Sequence, residues 1–366
     1  MKQFFSMLVL SVAILITASP AYAQDEIKPD AFYRARVTKI VEEKQEDTLS
    51  IAQAAAFSQR LEIELVTGPN KGQMAEVAYG AFRENQKLKV GEQVVVIAPN
   101  GSDNKDQLYI FDRYRIQSLA IMAGIFFLLT IFLAGRRGAT SLVGLAFSIA
   151  VLMGFIIPRI LSGGNPLGVV LIGSVAIATV SIYIAHGFNR RTSVAVGGTL
   201  ISICIAIGTS LLFVWMGKLF GFGSEETLYL QTAGIGNINL QGLLLGGIII
   251  GALGVLDDIT TAQAAAVAEI ADANPALSPA ELFRRGLSVG KEHITSLVNT
   301  LVLAYAGASF PALLLFVIYE RPWWVVANTE VIAEEIVRTL VGSIALMCAV
   351  PITTAIAARV FGKNKR

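Results

Sequence analysis

The sequence predicts an all-α polytopic membrane bundle, seven transmembrane helices after signal cleavage, with an N-terminal small β-barrel-like extracytoplasmic domain. Three observations carry that expectation. The 366-residue chain is 54% hydrophobic and only 15% charged, with a mean hydropathy of +0.63, whereas charged residues make up about 25% of an ordinary soluble domain. Seven apolar segments long enough to span a bilayer follow Ser118, and a charged, strand-rich stretch precedes them.

Taken in order, residues 1–23 read as a secretory signal. Lys2 supplies the positive start, Phe4 to Ala18 the apolar core, and Ala21-Tyr-Ala23 the small-residue cleavage site. Residues 24–115 form the outer domain. Short β-rich runs occupy Phe32–Val41, Arg60–Thr67, Gln73–Tyr79, Gln93–Ala98 and Gln107–Asp112. Gly68-Pro-Asn-Lys-Gly72 is a turn, and Pro99-Asn-Gly101 closes the fourth run. Lys44 to Ser58 interrupts the pattern as a loop or short helix. Five short strands suggest a barrel of OB or SH3-like type. Without an aromatic platform or basic stripe, the domain reads as a cap on the membrane part, not as a nucleic-acid or sugar binder.

Residues 116–366 form the membrane domain. Its expected spans are Ser118–Ala134, Ala139–Ile157, Pro166–Ala185, Val194–Met216, Leu240–Leu256, Thr295–Ile318 and Ile336–Ala358. Basic residues alternate between the connecting loops. One set holds Arg136, Arg137, Arg190, Arg191, Arg284, Arg285, Lys291, Arg359, Lys363, Lys365 and Arg366; the other holds only Arg159, Lys218, Arg321 and Arg338. By the positive-inside rule the N-terminal domain lies outside and the C-terminus is cytoplasmic, in the plasma membrane. The signal peptide implies the same orientation independently. In the fifth span Gly247, Gly251 and Gly254 share one helical face, which predicts close helix approach and a route to homo-oligomers. Trp323 and Trp324 form an interfacial aromatic pair.

Chemistry concentrates at the inner end of the fifth span, in Asp257-Asp258-Ile-Thr260-Thr261-Ala-Gln263. Asp257 stands 17 residues beyond Leu240, about 26 Å along a helix, and a bilayer core is roughly 30 Å thick. A charge there faces protein, water or a passing solute. Adjacent carboxylates share a cation or retain a proton, and oxygen donors suit hard cations or protons. If the helix continues, Asp258, Thr261, Ala265 and Glu269 share one face. The plain alternative is that Asp257 or Asp258 N-caps a separate cytosolic helix, Ile259 to Ala271. His186, His293 and Asn299 are further candidates on that side. For the histidines the plain alternative is simple solvation; for Asn299 it is an interhelical hydrogen bond. On the outer side Glu334, Glu335 and Arg338 have spacings that permit an ion pair, and Pro351-Ile-Thr353-Thr354 is expected to break the seventh span.

Several classes are disfavoured. Cys204 and Cys348 lie in apolar segments, so neither a disulfide framework nor a thiolate metal site is expected. A formal net charge of +2 gives no pointer to nucleic acid. Neither a P-loop nor a nucleophile motif of Gly-x-Ser-x-Gly type is present, so no ATP-driven engine, enzyme activity or cofactor is expected.

Several blocks together resemble the YibE/F family of bacterial multi-pass membrane proteins. They are the Gly68–Gly72 turn, Phe111-Asp-Arg-Tyr-Arg115, His186-Gly-Phe-Asn-Arg-Arg-Thr192 and Gly254-Val-Leu-Asp-Asp-Ile-Thr-Thr-Ala-Gln263. His293 to Gly307 and Glu335 through Pro351-Ile-Thr-Thr354 complete the set. The resemblance implies a membrane location and a permease-like role. The expectation is a secondary transporter or channel for a small solute or cation. Asp257 and Asp258 would bind, with Thr260, Thr261 and Gln263 lining the path and Asn299 opposite. The competing reading is a non-transporting assembly or sensor protein with an outer ligand-binding domain.

Overall fold

The structure, a computed structural model, describes residues 30–45, 57–81, 83–99, 107–232 and 238–362. The signal segment, most of the Lys44–Ser58 interruption, the end of the Pro99-Asn-Gly101 turn and the basic tail from Lys363 lie outside the described residues. The chain divides into two compact units that meet between residues 129 and 130.

The first unit is a curled five-stranded antiparallel sheet of order β3-β2-β1-β4-β5 followed by the first residues, up to Leu129, of the helix after it. Its strands are β1 (Ala31–Gln45), β2 (Phe57–Leu65), β3 (Met74–Ala81), β4 (Gln93–Ala98) and β5 (Tyr109–Arg113). Alternation builds it. Gln59, Leu61, Ile63 and Leu65 are buried on β2, and Val94, Val96 and Ala98 on β4, because successive side chains point to opposite faces. The core joins Ala35, Val37, Leu61, Ile63, Leu65, Val77, Leu88, Val94 and Val96.

The long β1 pairs with both β2 and β4, with register shifts at Val37/Lys39 and Ile40/Glu42 that increase its twist. The edges β3 and β5 are not neighbours in the ladder, so the sheet is a half-barrel where a closed barrel was expected. The β2–β3 turn needs positive φ at Gly68 (99°) and Gly72 (82°), and a Cβ on Gly68 would run into the Tyr33 ring. One polar side chain sits in this core. Gln59 Nε2 donates to Leu88 O (3.2 Å) and its Oε1 accepts from Leu88 N (2.8 Å), so both backbone groups of Leu88 are satisfied. Gln59 also donates to Glu43, whose carboxyl is held below the ordinary range chiefly by the Lys87 ammonium at 2.7 Å.

Three residues after Arg113 the chain enters α1 (Ile116–Val151), followed by a π-helical turn (Leu152–Ile156) and α2 (Ile157–Leu161). The first two expected spans therefore lie on one 46-residue helical stretch. Gly135 interrupts it with non-helical angles (φ 57°, ψ −134°), at the point where the sequence places a loop. The residues before the break are apolar and exposed, Phe132 by 83%, as a lipid-facing helix requires.

The second unit continues with α3 (Pro166–His186), α4 (Arg190–Gly217), α5 (Glu225–Thr232), α6 (Leu240–Ala273), α7 (Pro279–Ala308), α8 (Phe310–Ile318), α9 (Trp323–Ala327) and α10 (Glu330–Phe361). Among the described residues five helical stretches are long and apolar enough to cross a membrane: Ile116–Leu161, α3, α4, α6 and α10. The pair α7 and α8, bent by 63°, makes a sixth if counted as one span. The bend falls at Ser309, where Pro311 cannot donate to the helix ladder. The seventh expected crossing is the one merged into the first stretch.

Two further expectations are corrected. Pro351 does not break α10, which runs as one helix from Glu330 to Phe361. Nor do Gly247, Gly251 and Gly254 seat a neighbouring backbone. A Cβ at Gly247 or Gly254 would meet nothing within 4 Å, and one at Gly251 only the Tyr305 hydroxyl. The glycines that admit neighbours are others: Gly246 against Val170, Gly286 against Val267, Gly198 against Thr353. Packing selects the stripe that faces the core formed by Ile203, Ala206, Leu245, Ile248, Leu256, Val341, Ala345, Leu346 and Ala349, and this stripe lies off the Gly247 face.

Candidate functional site

Asn239 caps α6, its side-chain oxygen accepting from Gly242 N at 2.9 Å, and the helix then runs uninterrupted to Ala273. Asp257 and Asp258 are thus interior helical residues, and neither caps a second helix. Neighbours on a helix point about 100° apart, which explains their different surroundings: Asp257 is half-buried beside the fully buried Leu256, and Asp258 is exposed. The Asp257 Oδ1 atom is buried and has no hydrogen-bond partner among the described residues. Thr261 Oγ1 donates to the Asp257 carbonyl at 2.9 Å.

Below Asp257 a polar seam crosses α4, α6, α7 and α10. Thr260 and Thr199, both fully buried, share a 2.7 Å hydrogen bond, and Thr199 donates onward to Ala195 O at 3.0 Å. Thr260 Oγ1 also reaches a carbonyl, Asp257 O at 3.3 Å, so either hydroxyl can be the donor of the pair. Gln263, also fully buried, donates from Nε2 to Gly286 O and to Thr354 Oγ1, each at 2.8 Å. Thr354 passes its own proton to Val350 O at 2.6 Å. The carbonyl that Pro351 frees is that of Met347, four residues earlier, so Thr354, which bonds Val350 O, does not serve the freed carbonyl as expected. Two more seam oxygens, Gln263 Oε1 and Thr353 Oγ1, are buried without partners among the described residues.

The remaining inner candidates are dispersed. Asp258, Thr261, Ala265 and Glu269 do share one face of α6, and it is the more open one. Glu269 is taken up by Arg191 Nη1 at 2.5 Å, with Asp272 on Nη2 at 2.6 Å. His186 ends α3 and lines a cleft of about 110 Å³ with Arg137, Asn189, Arg191, Thr192 and Thr261. His293 is half-buried on α7, its Nδ1 without a partner among the described residues. Asn299 lies on an exposed face of α7, not across from the acids in the seam. No group of three or more His, Cys, Asp or Glu side chains is placed to hold a metal among the described residues.

The other end of the bundle holds more than the spacing of Glu334, Glu335 and Arg338 implied. Glu330 Oε1 accepts from three consecutive backbone amides, Phe220 (2.6 Å), Gly221 (2.9 Å) and Phe222 (3.2 Å). One turn on, Glu334 Oε1 accepts from Gly223 N at 2.9 Å. Left-handed backbone at Lys218 and positive φ at Gly221 turn these amides inward. Glu335 and Arg338 form the ion pair that their spacing permits. Glu334, Glu335 and Arg338, with residues of the Gly221–Leu228 segment and of α8, line an open cavity of about 940 Å³. Sequence reasoning missed Glu330. Its signal was available: two glutamates four apart, opening a helix after Thr329, with a Gly-rich loop elsewhere in need of acceptors.

A family model described as YibE/F-like protein matches residues 122–363. No curated protein and no solved structure matches the chain.

Proposed function

The chain belongs to the YibE/F-like family, and from that premise we propose that it is a permease, a secondary transporter or channel for a small solute or cation. In this reading the chain crosses the plasma membrane seven times, with Gly135 separating the first two crossings. The sheet unit then lies outside and the arginine-rich loops inside. Asp257 is the charged group of the path. One observation carries this assignment: a carboxylate oxygen without a partner, about 26 Å along an unbroken membrane helix, directly above a seam of buried hydroxyl and amide oxygens. Carboxylate and neutral oxygen ligands suit a proton or a hard cation, and Gln263 Oε1 and Thr353 Oγ1 are neutral seam oxygens without partners among the described residues. Asp258, exposed one residue on, would present the ion to the aqueous side.

The test is flux in proteoliposomes, following protons with an entrapped pH dye and cations with indicator dyes. Asp257→Asn is expected to abolish proton- or cation-linked flux, and Asp258→Asn to slow it. Unchanged flux in both variants ends the proposal. The exposure of Asp258 and Asn299 favours the alternative, a non-transporting assembly or sensor protein. On that reading, removing residues 24–115 abolishes function and the aspartate substitutions do not.

A further inference from the structure

We propose that the Glu334 end of the bundle is a binding site for a zwitterionic amphiphile, a molecule with an ammonium and an acid group on one hydrocarbon chain. The site is separate from Asp257 and stands whether or not the chain transports ions. Its basis is the union of two hollows. The 940 Å³ cavity, of the size of small-molecule sites (about 300–1,000 Å³), is lined by carboxylates of Glu226, Glu334 and Glu335 and guanidiniums of Arg321 and Arg338. Beside it a groove of about 230 Å³ runs between α7, α8 and α10, walled by Val302, Ala306, Leu313, Ile336 and Leu340. Ser309 and Glu335 line both, so the charged hollow continues into the apolar one.

The chemistry of each part selects its half of the ligand. Val302, Ile336 and Leu340 are exposed on the bundle surface, so the groove opens sideways toward lipid tails. The 63° bend between α7 and α8 turns α8 away from the line of the α7 axis beside it. A hydrocarbon chain satisfies such a groove; a polar one would lose its hydration without recompense. In the cavity Glu334 is only 7% exposed, and its one bond shown is from Gly223 N to Oε1. Arg338 gives Nη1 to Glu335, while its Nε is buried without a partner among the described residues. A buried N–H without an acceptor is costly. An acid group on the ligand satisfies Arg338 Nε, and an ammonium offsets the excess of three carboxylates over two guanidiniums. A simple anion meets that excess as repulsion, and a simple cation leaves Arg338 Nε unpaired.

The experiment is saturable binding of lysophosphatidylethanolamine to the purified full chain in detergent micelles, measured by equilibrium dialysis of radiolabelled ligand. Lysophosphatidylglycerol, which lacks the ammonium, and phosphoethanolamine, which lacks the chain, are the comparison probes. Lysophosphatidylethanolamine is expected to bind tightest, with each comparison probe weaker by about tenfold or more. Arg338→Gln and Glu334→Gln are each expected to weaken it by a similar factor. Leu340→Trp, which fills the groove from an exposed position without replacing a charged residue, is expected to abolish it; this variant decides the matter if either charge variant fails to fold. Equal binding of lysophosphatidylglycerol, equal binding of phosphoethanolamine, or full binding by the Leu340→Trp protein would each overturn the proposal.

Discussion

Gly290 of α7 lies flat against the Gln263 amide of α6. A Cβ placed on that glycine would come within 2.9 Å of Gln263 Oε1 and 3.1 Å of Nε2, and it would also strike Val350 of α10. Three helices therefore meet at a point where one residue has no side chain, and the buried glutamine occupies the space so released.

This contact predicts a contrast between glycines. Gly290→Ala should destabilise the bundle by about 1–3 kcal/mol, the usual cost of overpacking a filled interior. Gly254→Ala, where a Cβ meets nothing within 4 Å, should shift the melting temperature in detergent by little or nothing. A large loss at Gly254 would mean that this face packs against another chain, as the sequence had suggested.

Gln263 itself carries a second expectation. Replacing it by Leu keeps the volume and removes the bonds to Gly286 O and Thr354 Oγ1. Interhelical hydrogen bonds in membrane proteins average about 0.6 kcal/mol and reach about 1.7. A double-mutant cycle of Gln263→Leu with Thr354→Val, read by denaturant unfolding, should return a coupling in that range. A coupling near zero would show that the bond contributes nothing.

At the opposite end Glu330 gathers the amides of Phe220, Gly221 and Phe222 on one oxygen. Glu330→Ala should speed hydrogen exchange of those three amides by about tenfold or more, since each loses a charge-assisted acceptor. Glu330→Gln, which keeps an oxygen but not its charge, should fall between the two. Exchange measured by mass spectrometry on the 218–224 segment checks both; an unchanged rate in the alanine variant would show that the loop is held by something else.

In the sheet unit Gln59→Leu leaves the backbone N–H and carbonyl of Leu88 without their partners in an apolar core. The expected cost is about 1–3 kcal/mol. It should appear as lost exchange protection at Leu88, in the loop before β4, and at the β2 residues around position 59, with the helices unaffected.

Much of this architecture is written in local pattern. β-rich runs bounded by turn residues placed the five strands to within a few residues. Among the described residues apolar length located five stretches able to cross a membrane and a bent pair that makes a sixth, since lipid demands a long apolar run. It did not foresee that the first two expected spans lie on one stretch. The turn at Gly68–Gly72 and the Glu335–Arg338 pair were legible because their partners are near in sequence.

What the tertiary structure alone decided is the rotation of each helix about its axis. A period of 3.6 identifies stripes, but a helix does not state which stripe will meet a neighbour. So Gly247, Gly251 and Gly254 looked like a packing face and are largely open, whereas Gly286 and Gly290 admit Val267 and Gln263. Asn299 looked inward and is exposed, and Gln263, one candidate among several, sits at the junction of α6, α7 and α10. The same limit hid Glu330, whose amides come from a loop 108 to 110 residues away. Such a pairing exists only once the packed helices have brought the two ends of the chain's path together.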